Sequence, residues 1–598
     1  MSTVENGAGA LPGGDGFAGY PLALPSPCVL DDIDTKTMAA LAADSAWFSL
    51  PGGQILFEHG APPDALYLLL TGALAVIAEQ PEHQGELIAL IHPGETVGEM
   101  GVVSQRPRNA TVAAIRDSSL LRIGKAAFDH LLRQDPGTGL RLVGQLVDWL
   151  DQTTRGRRAL FVPRTLALVA LSATVPVAPF ARRLAAAIGD SGLSVAVCDE
   201  ADLHEAVEYF HHLEHDHDLT LYAASRPAAG REDAWTALSL RRADQLLLVA
   251  DAAAPPPDRL PGVECQERFR WRRCDLVLLH LVDGATPATS PWLGREGIRN
   301  RYNIRWPSRA DIQRLARYVT GRAVALALSG GGARGFGHIG VLRALREGGI
   351  PIDMVGGTSI GAIIAAGAAL EWSDAEFDQR MRRAFVQSNP LNDYTLPLVA
   401  LTRGHKVAAR LRENFGERCI EDLWLPFFCV ASNLTSGRET VLRDGPLWQA
   451  LRTTIAIPGL LPPIITEGEV LADGALLNNL PADIMAAMAR GPIIGVDVTR
   501  YRSLQARSRI SRWWQRCLVG RAYSGPGIAS LLMCAATISS DAQTRASRCH
   551  LDVLLEPPLT AVDMRDWRAY ERAVSAGFRY AMEQLPSIAA AVRRPAGR

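Results

Sequence analysis

A chain of 598 residues exceeds what one ordinary hydrophobic core supports and predicts about three or four domains. Its 48% apolar and 21% charged residues are those of folded protein and exclude disorder as the dominant state. The 62 Lys and Arg nearly cancel the 63 Asp and Glu, which excludes a global field drawing in nucleic acid or an anionic membrane.

The N-terminus, "MSTVENGAGALPGGDGFAGY", has no basic segment followed by an apolar run, so residues 1–30 read as a flexible tail and not a signal peptide. Nine cysteines are scattered between 28 and 549 without a C-x-x-C pair. That pattern predicts a reducing compartment with buried thiols, hence a cytoplasmic protein with at most peripheral membrane contact.

Residues 31–155 set short apolar runs between Gly and Pro turns, as in "PGGQILFEHGAPPDALYLLLTGALAVIAEQ", followed by "GKAAFDHLLRQDPG" with helical spacing. A β-barrel or jelly roll closed by helices is expected. Residues 160–320 alternate buried strands ("TLALVAL", "LSVAVCDE", "LTLYAA", "QLLLVADA", "CDLVLLHLV") with helices, the pattern of a parallel α/β sheet. No G-x-x-x-x-G-K-[ST] accompanies it, so ATP hydrolysis by a P-loop has no support. The stretch "HHLEHDHD" (211–218) offers metal-ligand residue types, yet a polar helix end running into the next strand explains it better, and no metal site is assigned.

From 322 to 598 the chain is α/β again, with a C-terminal part that reads as mostly helical. Within it "IPIDMVGGTSIGAIIAAGAAL" has the length of a membrane span, but Asp353 and a Gly-Gly pair favour a buried strand, a turn and a small-residue helix. "RISRWWQRCLVGRAY" pairs Trp513 and Trp514 with arginines and suits either a lipid interface or a neighbouring domain.

A serine hydroxyl attacks only if a base takes its proton and donors receive the charge that forms on the attacked carbonyl. "GTSIG" places Ser359 between Gly357 and Gly361, spacing that lets a sharp strand-to-helix turn lift the side chain clear. Upstream, "LSGGGARGFGH" frees the backbone of Gly330, Gly331, Gly332, Ala333, Arg334 and Gly335 to aim several N–H groups at one spot, a candidate oxyanion hole to which Arg334 adds charge. The same letters satisfy G-x-G-x-x-G, with Asp353 at the distance of a ribose-binding acid; that strand, however, runs into an elbow no dinucleotide fold requires. For the base, "EVLADGALLNNLP" puts Asp473 directly after an apolar strand, where burial would raise its basicity. His405 and His550 are the histidines that follow Ser359, and neither sits in an obvious catalytic turn.

The three elements in this order, "GGGARG" (330–335), "GTSIG" (357–361) and "DGA" (473–475), resemble the patatin-like phospholipase family over a motif core of 324–490. The resemblance implies Ser359 as nucleophile, Asp473 as general base in a Ser-Asp dyad, the 330–335 loop as oxyanion hole, and hydrolysis of a carboxylic ester with no cofactor or metal. In the first domain, "TVGEMGVVSQRPRNATVAA" resembles the phosphate cassette of cyclic nucleotide-binding domains. That implies Gly98, Glu99, Arg108 and Asn109 around a sugar phosphate, with cAMP or cGMP as regulatory ligand. "VGEMGVV" replaces the commoner Phe-Gly-Glu-Leu start and Asn109 stands where a small residue is usual, which leaves open the choice of nucleotide.

A cyclic nucleotide-type domain, an α/β segment and a patatin-like domain in series resemble the neuropathy target esterase type of the family, its bacterial members included. The implied substrates are lysophospholipids or phospholipids. Two rivals remain at this stage: a cyclic nucleotide-responsive binding protein whose hydrolase domain is an inactive scaffold, and an α/β-hydrolase triad completed by His550. A catabolite-activator-type DNA-binding regulator is disfavoured, because α/β sequence follows the barrel where a helix-turn-helix would stand. Nucleic acid is not an expected partner.

Overall fold

The computed structural model describes residues 45–78, 87–141, 143, 144, 147, 162–225, 233–258, 260, 261, 272–282, 289–295, 297–388, 392–396, 399–488, 490–499, 540 and 542–593. The tail expected over 1–30 and the Trp513/Trp514 segment lie outside them.

Short strands between tight turns form two four-stranded antiparallel sheets. Their strands are β1 (Ser45–Leu50), β2 (Ile55–Phe57), β3 (Ala65–Thr71), β4 (Leu74–Ile77), β5 (Leu87–Ile91), β6 (Thr96–Val97), β7 (Thr111–Ala114) and β8 (Ser118–Gly124). The order is β1-β8-β3-β6 in one sheet and β2-β7-β4-β5 in the other, a jelly-roll barrel. A one-and-a-half-turn helix, α1 (Glu99–Ser104), interrupts the strands, and α2 (Lys125–Gln134) follows them with Phe128 and Leu131 turned into the barrel's own core.

The alternating region forms a six-stranded parallel sheet of β9 (Thr165–Ala170), β10 (Val195–Cys198), β11 (Leu219–Ala224), β12 (Gln245–Asp251), β13 (Arg273–His280) and β14 (Arg301–Arg305), in the order β10-β11-β9-β12-β13-β14. Helices cover both faces, so its central strands are buried throughout and read as continuous apolar runs. In α3 (Val177–Gly189) the i, i+4, i+8 residues Phe180, Leu184 and Ile188 supply the stripe that docks on the sheet. The His-rich stretch is the end of α4 (Val207–Asp216) and the turn into β11. Ser172 and Thr174, in the loop after β9, are both hydrogen-bonded to Asp251, so this loop is held by its own sheet. Helix α5 (Ala234–Arg242) leads into β12, and α6 (Arg309–Val319) closes the unit.

The last sheet has eight strands. Parallel β17 (Phe427–Asn433), β16 (Met354–Thr358), β15 (Ala325–Leu328), β21 (Ile493–Val496) and β22 (Val553–Leu555) form its centre. Antiparallel β20 (Glu469–Asp473) and β19 (Ile464–Thr466) extend one edge, and β18 (Arg438–Leu442) also pairs with β17. The C-terminal part is therefore not wholly helical: "DVLLEP" supplies an edge strand before the long helix α13 (Tyr570–Arg593). One apolar cluster runs from Leu166, Phe180 and Val277 to Phe428, Leu480 and Ile493, so the two α/β units share a core. Among the described residues no helix is long and apolar enough to cross a membrane; the apolar segment 350–370 is β16, a turn and α8 (Ile360–Ala369).

Candidate active site

Strand β16 ends at Thr358, α8 begins at Ile360, and Ser359 between them is held at φ 56°, ψ −127°. A residue with a Cβ adopts this conformation only under strain, so the surrounding structure must fix it. A Cβ on Gly357 would lie 2.7 Å from the Leu328 carbonyl oxygen and one on Gly361 2.5 Å from that of Ser329, so only glycines let the elbow close on the end of β15. Ser359 is 8% exposed, and its Oγ donates to Asp473 Oδ2 at 2.8 Å.

Asp473 is the last residue of β20. Its backbone N–H donates to the Ala456 carbonyl at 3.0 Å, and its Oδ1 accepts from the Ala475 N–H at 2.9 Å, which orients the carboxylate. Burial pushes this carboxyl up to about 6, against the opposing hydrogen bonds from Ala475 and Ser359. His405, at the start of α10 (His405–Phe415), and His550, in the turn before β22, enter neither of these hydrogen bonds of Ser359 and Asp473.

The glycine loop leaves β15 and packs beside the elbow; a Cβ on Gly330 would sit 3.2 Å from Ser359 Cβ. Its backbone donors divide into two groups. The Gly330 N–H donates to Asn479 O (3.2 Å), that of Ala333 to Met564 O (2.8 Å) and that of Arg334 to Gly331 O (3.3 Å). The N–H groups of Gly331 and Gly332 have no acceptor among the described residues. The Arg334 side chain is buried with its Nε donating to Val562 O at 2.8 Å, so part of its hydrogen bonding ties the loop to the C-terminal segment. His338, in α7 (Phe336–Glu347), is fully buried, and desolvation pushes it down to about 4. As a neutral ring it donates from Nε2 to the Ser329 carbonyl at 2.9 Å.

The acid of the competing dinucleotide pattern is spent elsewhere. Both oxygens of buried Asp353 take Arg317, at 2.6 and 2.8 Å, and one also accepts the Val324 N–H. Glu214 of the His-rich stretch is likewise committed to Arg116 and Tyr222.

In the barrel, Gly98 stands in the left-handed region (φ 91°) before α1. Buried Arg108 donates to the carbonyls of Gly98 (2.8 Å) and Ala65 (2.6 Å) and approaches Asp64 (3.3 Å), with its guanidinium 4.3 Å over the Phe57 ring. Glu99 Oε2 and Arg108 Nε are buried and have no partner among the described residues. Burial pushes the Glu99 carboxyl up to about 7. An orphaned acceptor near a buried cation fits a sugar phosphate, whose hydroxyl and charged oxygens complement them. Asn109 lies at the exposed rim, 3.8 Å from Met100 Sδ.

Sequence reasoning did not find Thr454, whose hydroxyl accepts the Ser359 N–H at 3.0 Å, or Val562 and Met564, which hold the glycine loop. No local pattern marks them, since each acts across at least 95 residues of chain.

Three family models match in chain order: Cyclic nucleotide-binding domain over 47–135, Neuropathy Target Esterase family P-loop like domain over 163–317, and Patatin-like phospholipase over 326–486. An NTE family protein of Mycobacterium tuberculosis is 29% identical over 582 residues, 94% of this chain and 96% of that one. Patatin-like phospholipase domain-containing protein 6 of Homo sapiens is 30% identical over 542 residues, covering 78% of this chain and 39% of its own length. Lysophospholipase nte1 of Aspergillus fumigatus is 29% identical over 553 residues, 76% of this chain and 35% of its own. This chain thus spans well under half of the human and fungal proteins and nearly all of the mycobacterial one.

Proposed function

Because the chain belongs to the neuropathy target esterase type of patatin-like phospholipases, which are lipid ester hydrolases, we propose that it cleaves the acyl esters of lysophospholipids or phospholipids through a dyad of Ser359 and Asp473. The observation that carries this reading is the 2.8 Å hydrogen bond from the strained, nearly buried Ser359 to the buried Asp473.

Asp473 takes the proton from Ser359 Oγ as that oxygen attacks the acyl carbonyl. An ordinary aspartate is too weak a base for this, and burial narrows the gap while leaving the carboxylate ionised at neutral pH. The oxyanion of the tetrahedral intermediate is received by the N–H groups of Gly331 and Gly332, the loop donors left without an acceptor. Collapse breaks the ester C–O bond, and the leaving alcohol takes the proton held on Asp473. Water then attacks the acyl-serine while Asp473 again accepts a proton, and the fatty acid departs as Ser359 recovers its own.

The barrel acts in this scheme as a regulatory module for a cyclic nucleotide. When bound, the nucleotide supplies a ribose hydroxyl for Glu99 and charged phosphate oxygens for Arg108.

The test is fatty acid release from a series running from short p-nitrophenyl esters to lysophosphatidylcholine and phosphatidylcholine, with and without cAMP or cGMP. Wild type should hydrolyse the lipid esters and be labelled by a fluorophosphonate; Ser359→Ala should do neither. Full activity in Ser359→Ala would sink the proposal. A protein that binds nucleotide but neither hydrolyses nor labels would instead be a responsive binding protein on a hydrolase scaffold.

A further inference from the structure

The segment "LRTTIAIPG" (451–459) carries none of the recognised motifs, yet it touches both halves of the dyad. It closes α11 (Leu447–Thr454), an amphipathic helix that buries Leu447 and Leu451 and ends on the fully buried Thr454. A hydroxyl has one proton to give and lone pairs to accept with, and Thr454 uses both capacities. It donates to the Val430 carbonyl of β17 and accepts the Ser359 N–H at 3.0 Å. Two residues further on, the Ala456 carbonyl accepts the Asp473 N–H at 3.0 Å.

The sheet register makes these contacts a closed frame. Val430 pairs with Thr358, the residue before the nucleophile, and Ala431 pairs with Asp473. Strand β17 therefore sets the separation of elbow and acid, and the end of α11 ties both to it. The Ser359 backbone is strained and would relax if its N–H were released. We propose that Thr454 is a positioning residue: by clamping the Ser359 N–H to β17, it holds Oγ within hydrogen-bond reach of Asp473. This rests on the dyad reading above.

The test compares Thr454→Val, which keeps the volume and removes the acceptor, with Thr454→Ser, which keeps the hydroxyl. Small displacements at a reacting centre cost up to about 100-fold in rate, so Thr454→Val should lose roughly 10- to 100-fold in kcat with KM within about threefold of wild type. The rate of inactivation by a fluorophosphonate should fall in parallel, and Thr454→Ser should recover most of both losses. The acid limb of the pH profile should also move up in Thr454→Val, because Asp473 loses the hydrogen bond that opposes its burial.

A folded Thr454→Val with wild-type turnover per titrated active site, merely melting earlier, would overturn the inference. If that variant does not fold, Thr454→Ala against Thr454→Ser decides in the same way. Ser359→Ala separates the two levels of the argument. Activity surviving in Ser359→Ala removes the dyad itself, whereas an inactive Ser359→Ala beside an unimpaired Thr454→Val removes only the clamp.

Discussion

Arg116, in the turn between the last two barrel strands, places its Nε 2.6 Å from Oδ1 of Asp244, the residue immediately before β12 of the six-stranded sheet. The same guanidinium reaches Glu214 of α4 at 2.8 Å, and both Arg116 and Asp244 are buried. The second Asp244 oxygen accepts the N–H groups of Arg164 and Thr165 at the start of β9. Burial alone would raise the Glu214 carboxyl, and Arg116 and Arg242 outweigh it to hold the group below its ordinary value. The barrel is thus joined to the next unit by a buried charge network that leaves few lone pairs unused.

Breaking one partner of such a network leaves the others buried without compensation. Arg116→Met is therefore expected to cost about 3–5 kcal/mol. Urea unfolding followed by fluorescence would read this, with the barrel melting apart from the α/β units. Single-transition unfolding at wild-type stability would mean that this charge network is not what holds the barrel in place.

Asp473 gives a pH dependence whose sign follows from its burial. As the proposed general base it would work only when ionised, so kcat/KM should fall about tenfold per pH unit below about 6, where its carboxyl takes up a proton. The stability effect runs the other way. The folded value lies above the 3.8 of an ordinary aspartate, so the stabilisation by protonation is complete below that pH and lost as pH rises through about 6. Asp473→Asn, neutral at every pH, should be inactive and should gain on wild type as pH rises from 4 to 7, by roughly 3 kcal/mol at most. Parallel unfolding curves for the two proteins across that range would show that Asp473 ionises without penalty.

The motifs made much of this legible. Strand patterns announce the barrel and five of the six parallel strands, because fully buried strands are written as apolar runs; β14, "RYNIR", escapes because its five residues hold only two apolar side chains and too short an alternation to stand out. The elbow, the glycine loop and Asp473 were visible because each needs particular residues within a few positions. What escaped is what depends on distant chain: Thr454 on Ser359, Met564 on Ala333, and the strand β22 at the sheet's edge. These contacts use backbone atoms or common side chains, so nothing in the local letters distinguishes them.

The barrel's cassette makes a claim that binding alone can test. Hydrogen bonds to charged groups are worth about 1.5–3 kcal/mol, so Arg108→Ala should weaken cAMP or cGMP at least about tenfold by calorimetry on the whole chain. Glu99 adds a pH signature. In the proposed site its buried carboxyl, pushed up to about 7, would accept a ribose hydroxyl best when ionised, so affinity should tighten between pH 6 and 8 and lose that slope in Glu99→Gln. Wild type that released no heat with either nucleotide would leave the barrel an interaction module.

The glycine loop depends on a helix pair of which one member, α13, lies outside the family match of 326–486. Helix α7 starts where the loop ends and lies against α13 at a distance only glycines allow. A Cβ on Gly577 would fall 2.1 Å from the Gly337 carbonyl oxygen, and one on Gly340 2.0 Å from that of Val574. Phe336 locks the crossing by edge contact with Tyr570, centroids 4.8 Å apart. Just before α13, Met564 O takes the Ala333 N–H, so pushing the helices apart moves a loop donor as well. Gly577→Ala is expected to destabilise by about 1–3 kcal/mol through overpacking and to lower esterase activity, while exposed Ser575→Ala on the same helix stays within about 0.5 kcal/mol. Thermal melts and p-nitrophenyl ester hydrolysis on both variants would check it. If Gly577→Ala matched Ser575→Ala in both measurements, α13 would have no part in holding the loop.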